Sequence, residues 1–402
     1  MFQRICAVVA VIFITGCAAA PGPAPLASLP PLPVIPEGPP LAVAGLSVDS
    51  ANNASTQVYA FAPIAGLRSD AAPPPAMVTH FINVGQGDAT LLEFACGVVL
   101  IDAGGDDDDD VARLIDYLDA VFARRPDLNR TIDLLMLTHA HIDHTRAFDA
   151  LLDRFTIERY VDNGRNTGSG IPQVKRLKKV AMEKDIAIRE VTDSEIAALP
   201  HRRGLTDDLI DPIACPACDP RISILSSSKA TRPSGWSAGQ FIDQNHHSMV
   251  IRVDFGETSM LFTGDLEIAA IATLLDRYRG SDALDVDVYH AGHHGQHDGT
   301  TPELVAAMSP DLTIISCGDP AATLDPISAF AYGNPRNGVI EMLTQGLSRD
   351  RAAPGTFAVG KAGWRFADQN IQRAIYATPW DGHIALIAHQ DGAFRVIRHH
   401  TP

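Results

Sequence analysis

From Val78 onward, short apolar runs alternate with stretches in which apolar positions recur at helical spacing. Val78 to Val84, Ala89 to Phe94 and Val98 to Ile101 read as consecutive strands, and Asp107 to Phe122 reads as an amphipathic helix. Ile132 to Leu137 is apolar except for Asp133 and reads as a buried strand. Residues 166–245 lose this regularity and read as an irregular insertion. Strand patterning returns at Ser248 to Phe255, turns at Gly256-Glu257 and continues through Ser259 to Phe262. A helix over Leu266 to Tyr278 follows, then strands near Val286 to Tyr289 and Leu312 to Ser316. Ile384 to Ala388 and Phe394 to Ile397 flank Asp391-Gly392, the signature of a closing hairpin. No repeat of solenoid or propeller length is present. Strands alternating with helices predict a layered α/β fold over residues 77–402.

The first 76 residues pattern differently. Arg4 precedes an apolar run from Ile5 to Ile14, and a run of about ten residues is half of what spans a bilayer. It ends in Ile14-Thr15-Gly16-Cys17, which resembles the bacterial lipobox; Cys17 is then the expected lipidation site and residues 1–17 the leader. The lipid would anchor the chain to a membrane without spanning it. Ala18 in place of an aspartate favours the outer membrane on the periplasmic side. Pro21 to Pro40 is rich in Pro, Ala and Gly with almost no charge, so residues 18–76 read as a tether and extension.

Composition changes this picture in two places. The formal net charge of −16 lacks the basic footprint of a general nucleic-acid binder. It leaves room for an enzyme that grips one phosphodiester locally. Lys175-Arg176-Leu177-Lys178-Lys179 is the dense basic run and reads first as a solvated helix face. Asp106 to Asp110 reads as the acidic opening of the helix that follows. Cys215-Pro-Ala-Cys218 has no second pair to complete a zinc site, so a local disulfide pinning a loop is expected.

The candidate chemistry is concentrated in His139-Ala140-His141-Ile142-Asp143-His144, directly after the buried strand. On a tight loop the alternating His139 and His141 can converge on one ion while Asp143 and His144 turn toward a second. Imidazole and carboxylate suit zinc, manganese or iron at a hydrolytic centre.

This motif, with its neighbours, resembles the metallo-β-lactamase superfamily, most of all the ComEC-type hydrolase domain of DNA-uptake proteins. Phe81-Ile82-Asn83-Val84-Gly85-Gln86-Gly87-Asp88-Ala89 is similar to that group's opening signature, and Leu100-Ile101-Asp102-Ala103-Gly104 to the first acidic motif, whose aspartate organises the site. Phe262-Thr263-Gly264-Asp265 looks like the bridging-aspartate motif. His293-His294-Gly295 resembles the last histidine motif, with His293 favoured as ligand and His294 as a substrate-contacting group. Asn245-His246-His247-Ser248 resembles the N-x-x-S stretch of the ComEC type. His246 and His247 both stay open there, as a third ligand to the first ion or as a hydrogen-bonding group at the rim, and His247 is carried as the ligand candidate. Where the ComEC type has Gly-His-Pro, this chain has Gly333-Asn334-Pro335; Asn334 can donate a hydrogen bond but cannot shuttle a proton near neutral pH.

The resemblance implies an αββα sandwich holding two divalent ions, zinc foremost, bound by His139, His141, Asp143, His144, Asp265 and His293. It also implies a hydrolase in which Asp143 and Asp265 serve the reacting centre. There is no run of transmembrane segments such as an uptake channel needs, so the expectation is a stand-alone lipoprotein. A phosphodiesterase, nuclease-like or acting on small or envelope phosphodiesters, is the leading function. A carboxyl-ester or lactone hydrolase is the second, and an inactive envelope binding or assembly lipoprotein the third. His201, His290 and His297 receive no role, and His399 and His400 read as exposed.

Overall fold

The structure is a computed structural model describing residues 76–399, apart from His201 and residues 322–327. Cys17, the leader, the Pro-rich tether and His400 lie outside the described residues, as does the His399 side chain.

Among the described residues the strands form one sheet of eight and one of six, with two small two-stranded additions. The larger sheet runs, in spatial order, Phe394–His399, His383–His389, Ala76–Phe81, Thr90–Glu93, Val98–Ile101, Leu134–Met136, Arg159–Asp162 and Ala187–Glu190. Its first five strands pair antiparallel and the remainder parallel. The smaller sheet runs Ile375–Ala377, Leu312–Ile315, Val288–His290, Thr258–Phe262, Val250–Phe255 and Arg221–Ser226.

Strand alternation sorts the apolar residues into layers. In Val98–Ile101, Val99 and Ile101 face the second sheet, where they join Phe81, Leu134 and Met136 against Ile251, Phe255, Phe262 and Ile314. Val98 and Leu100 point the other way, under the helices Asp108–Arg124, Phe148–Arg154 and Ile171–Lys184. The outer face of the smaller sheet is covered by Ile268–Tyr278, Pro302–Met308 and Asn337–Gly346. Helix, sheet, sheet, helix is the predicted αββα sandwich. The centre of each sheet is buried on both faces, so its parallel strands are mostly apolar, as Leu134–Met136 and Leu312–Ile315 are.

Residues 166–245 are more regular than the sequence pattern suggests. They contain the helix Ile171–Lys184, the edge strand Ala187–Glu190 of the larger sheet and the edge strand Arg221–Ser226 of the smaller one. Edge strands have weak patterning because one flank is open to solvent, and Ala187–Glu190 has no fully buried residue. The expected Cys215–Cys218 disulfide is also replaced: Cys215 bonds Cys96, 119 positions away, and Cys218 is free. Neighbours in sequence lost to neighbours in space. A long hairpin, Asp350–Ala362 with Arg365–Arg373, is a further element without a counterpart in the sequence reading.

The basic and acidic runs take their structural readings. Arg176 pairs with Asp149, and Lys178 bonds Asp162 and Glu190, all within one helix face and its surroundings. Asp107 caps Asp108–Arg124 by accepting from the Asp110 N–H at 2.9 Å, so the acidic run opens the helix. No described helix is long and apolar enough to cross a membrane.

Candidate metal centre

The site forms where strands of both sheets end. Leu134–Met136 runs into Thr138 and His139, Thr258–Phe262 into Thr263-Gly264-Asp265, and Val288–His290 into Gly292-His293-His294. The carboxyl ends of such strands are where α/β sheets place ligands. The backbone must approach closely here. A Cβ on Gly104 would run into the Asp143 carbonyl, and Gly264, at φ +49°, lies against the Thr138 side chain.

Asp143, His144, Asp265 and His294 place one donor atom each within 4.8 Å of one another. Asp265 is central. Its Oδ1 lies 3.3 Å from His144 Nε2, and its Oδ2 lies 3.4 Å from His294 Nε2 and 3.8 Å from His139 Nε2. Ser248 holds the Asp265 backbone by accepting its N–H at 3.2 Å, which gives the serine of the Asn245-to-Ser248 stretch its purpose. Asp143 Oδ2 lies 3.3 Å from His294 Nε2. Beside this group, His139 Nε2 and His141 Nδ1 approach to 3.1 Å, so two ring nitrogens converge on one point as the motif spacing predicts.

Each buried imidazole is steered from behind. His144 Nδ1 bonds Asp102 Oδ2 at 2.8 Å, while Asp102 also accepts from the Thr138 N–H and hydroxyl, both at 2.7 Å. His294 Nδ1 donates to the Ser316 carbonyl at 2.9 Å. In both residues this leaves Nε2 buried, aimed at Asp265 and without a hydrogen-bond partner. A buried polar atom without a partner costs about 1–3 kcal/mol. Two such nitrogens facing two carboxylates form a donor set that fits a divalent cation, with Asp102 and Ser316 as the outer supports that ligating histidines require.

The ionisable groups of the centre perturb one another strongly. Burial alone would raise the Asp265 carboxyl, but His294 and His144 hold it well below its ordinary range. Burial opposes the charged forms of His144 and His294, yet Asp265 and its neighbours hold both well above theirs. His139 is pushed well below the ordinary range by burial and by His144, which favours the neutral, ligating form. Behind the centre, Asp88 is raised to about 7 by burial and by Asp102, and its Oδ2 lies 3.5 Å from His290 Nδ1. The sequence reading had left both residues without a role.

Two assignments change. His294, rather than the favoured His293, joins the group of Asp143, His144 and Asp265. At φ +52° and +54° the consecutive residues turn their rings apart; His293 bonds Asp298 through Nδ1 at 2.9 Å and stands outside, its Nε2 3.9 Å from Asp265 Oδ2. His247 is not available as a ligand. Its Nδ1 accepts from the Lys229 N–H at 3.0 Å and its Nε2 donates to the Phe241 carbonyl at 2.8 Å, so both nitrogens are consumed. Burial accordingly lowers its pKa to about 4. Asn334 is buried with its Oδ1 unpartnered among the described residues.

Four-layer fold and donor set together define a metallohydrolase-type domain. Residues 82–166 and 219–319 match the family model of the metallo-beta-lactamase superfamily, and the chain carries a domain of that superfamily. Proteins of this fold are usually hydrolases and typically bind two metal ions. Similar chains include ComE operon protein 3 of Bacillus subtilis, 25% identical over 47% of this chain and 20% of that one. Recombination protein 2 of Haemophilus influenzae is 42% identical over 18% of this chain and 9% of that one. Competence protein ComA of Neisseria gonorrhoeae is 30% identical over 30% of this chain and 17% of that one. The matches thus span a fifth or less of each relative. Among solved structures, the metallo-beta-lactamase fold protein YhfI of Bacillus subtilis superposes at 14% identity and a TM-score of 0.33, covering 60% of this chain and 86% of that one.

Proposed function

We propose that the chain is an exported, lipid-anchored, metal-dependent phosphodiesterase, nuclease-like or acting on small or envelope phosphodiesters. The observation that carries the hydrolytic reading is the group Asp143, His144, Asp265 and His294, whose two imidazoles present unpartnered Nε2 atoms to the same carboxylate. Phosphodiester chemistry is supported by the opening signature around Asp88 and by the competence-protein relatives. Export is supported by the lipobox at Cys17 and by the Cys96–Cys215 disulfide, which belongs in an oxidising compartment.

Asp143, His144 and His294 would hold one divalent ion, His139 and His141 the other, with Asp265 between them. When bound, such a pair supplies a nucleophilic water at neutral pH and neutralises charge on the attacked phosphoryl group. The chain's own residues set the geometry. Asp102 keeps the His144 proton on Nδ1, the Ser316 carbonyl does the same for His294, and Ser248 fixes the carboxylate that both face. Asn334 and His293 remain for orienting the substrate. The paired state of Arg176 and Lys178 removes them from a polyanion groove, so a small or envelope phosphodiester fits better than duplex DNA.

The test is hydrolysis of bis-p-nitrophenyl phosphate by the full chain in detergent, metal-stripped and then reloaded with zinc or manganese, beside Asp265→Asn. Metal-dependent turnover lost in the variant is expected. A metal-loaded protein inert toward the phosphodiester but active on p-nitrophenyl esters or a lactone would replace this reading with an ester hydrolase.

A further inference from the structure

A second group of donors lies outside the centre described above. Asp243, His246 and Glu267 bring one ligand atom each within 4.8 Å of one another, and Glu267, His293 and Asp298 do the same. None of these residues belongs to the group of Asp143, His144, Asp265 and His294. The His293 ring stands between the two: Nε2 is 3.9 Å from Asp265 Oδ2 on one side, and Nδ1 is 3.9 Å from Glu267 Oε1 on the other.

Three features separate this cluster from an ordinary acidic patch. His246 is 3% exposed, yet its Nδ1 makes no hydrogen bond, although Glu267 Oε2 lies only 3.4 Å away. A buried imidazole in that state is missing a partner. Asn245 adds a second orphan, since its Nδ2 donates to Glu267 Oε1 at 2.9 Å while its buried Oδ1 has none. Finally, Asp243, Glu267 and Asp298 gather three carboxylates, and none is paired with a lysine or arginine among the described residues. Imidazole nitrogen with carboxylate oxygens is a donor set for a divalent transition cation.

We propose that Asp243, His246 and Glu267 form a third cation site, of the zinc or manganese type, beside the hydrolytic centre. His246 supplies Nδ1, and Asp243 and Glu267 supply one oxygen each. The ion joins the turn Asn245–His247 to the start of the helix Ile268–Tyr278, where Glu267 is the cap residue. It thereby fixes Asn245 and Glu267, the residues against which the His293 ring lies. The sites share no ligand, so this assignment stands apart from the hydrolytic reading.

The experiment is a count of bound zinc per full chain by inductively coupled plasma mass spectrometry, after metal stripping and equilibrium dialysis against zinc. It compares wild type, His246→Gln, Asp243→Asn with Glu267→Gln, and Asp143→Asn with His294→Asn. His246→Gln and the first double variant should each hold one equivalent less than wild type. The second double variant should lose metal from the hydrolytic centre yet keep the equivalent that His246→Gln removes. Should His246→Gln impair folding, Asp243→Asn alone carries the comparison, because Asp243 is only partly buried. Unchanged stoichiometry in folded His246 and Asp243 variants would overturn the proposal. Unchanged stoichiometry in the Asp143 and His294 variant alone would overturn the hydrolytic centre and leave the third site standing.

Discussion

Replacing Asp102 with asparagine probes how a residue that touches no metal governs one that does. Asp102 is fully buried and accepts three hydrogen bonds, from the Thr138 N–H, the Thr138 hydroxyl and His144 Nδ1. Asparagine keeps one oxygen and turns the other position into a donor. If its oxygen stays on the Thr138 N–H, its amide faces His144 Nδ1, which must then accept. The proton moves to Nε2, and the lone pair aimed at the Asp265 side is lost. If the amide flips, His144 keeps its tautomer but the Thr138 N–H faces a donor, at a cost of about 1–3 kcal/mol for a buried orphan. Removing an outer support of a ligating histidine costs about 10–100-fold in metal affinity, or about 1.4–2.8 kcal/mol at about 1.4 kcal/mol per decade. We expect that loss for one of the bound ions, measured by competition with a chromophoric chelator on the full chain, together with lower thermal stability of the metal-free protein. Wild-type zinc affinity in folded Asp102→Asn would refute the claim that Asp102 sets the His144 tautomer.

Other perturbations follow from the same geometry. His294→Asn should abolish metal-dependent turnover while His247→Gln leaves metal content unchanged, since His247 spends both nitrogens on backbone groups; equal loss of bound metal in both variants would contradict the assignment. Gly104→Ala should lower bound metal as well as stability, because its Cβ meets the Asp143 carbonyl; a fully metallated alanine variant would count against that close approach. Cys96→Ser removes a cross-link between positions 119 apart and should cost up to about 4–5 kcal/mol in denaturant unfolding; no change in the midpoint would show that the bond does not form. Burial alone would raise the Glu93 carboxyl, but hydrogen bonds from His80 and Arg124 hold it far below the ordinary range. A depressed carboxylate contributes stability above its unfolded pKa and loses it as pH falls. Glu93→Gln should therefore cost about 3 kcal/mol near pH 7, a difference that shrinks below about pH 4; a pH-independent difference would refute the ionic account.

Apolar periodicity alone located the strands of both sheet centres and the helices Asp108–Arg124 and Ile268–Tyr278, within a few residues at each end. It could do so because a strand buried on both faces must be apolar throughout, whatever its neighbours are. The same logic made His139-to-His144 legible, since four ligand-type residues within six positions after such a strand have few other uses. Some elements with exposed faces were less legible, although the edge strand Phe394–His399 was read as half of a hairpin. Ala187–Glu190 and the hairpin Asp350–Ala362 with Arg365–Arg373 mix exposed and half-buried positions, and Pro354 and two glycines interrupt the hairpin's pattern.

The sequence by itself determined the layered fold and the metal-binding motif, and its resemblance singled out Asp265, which lies at the middle of the donor cluster. Tertiary structure alone decided between adjacent residues of the same kind. His293 and His294 are chemically identical, and the left-handed backbone at both positions selects which ring faces the centre. His246 and His247 differ only in what surrounds them: backbone groups satisfy one and leave the other facing Glu267. Cys215 had a partner three residues away and took one 119 away, because pairing follows distance in space, here 5.5 Å between Cα atoms. Local pattern reports which residues are buried. Which atom of a buried residue is left without a partner depends on every element packed around it, and that is settled only when the chain has folded.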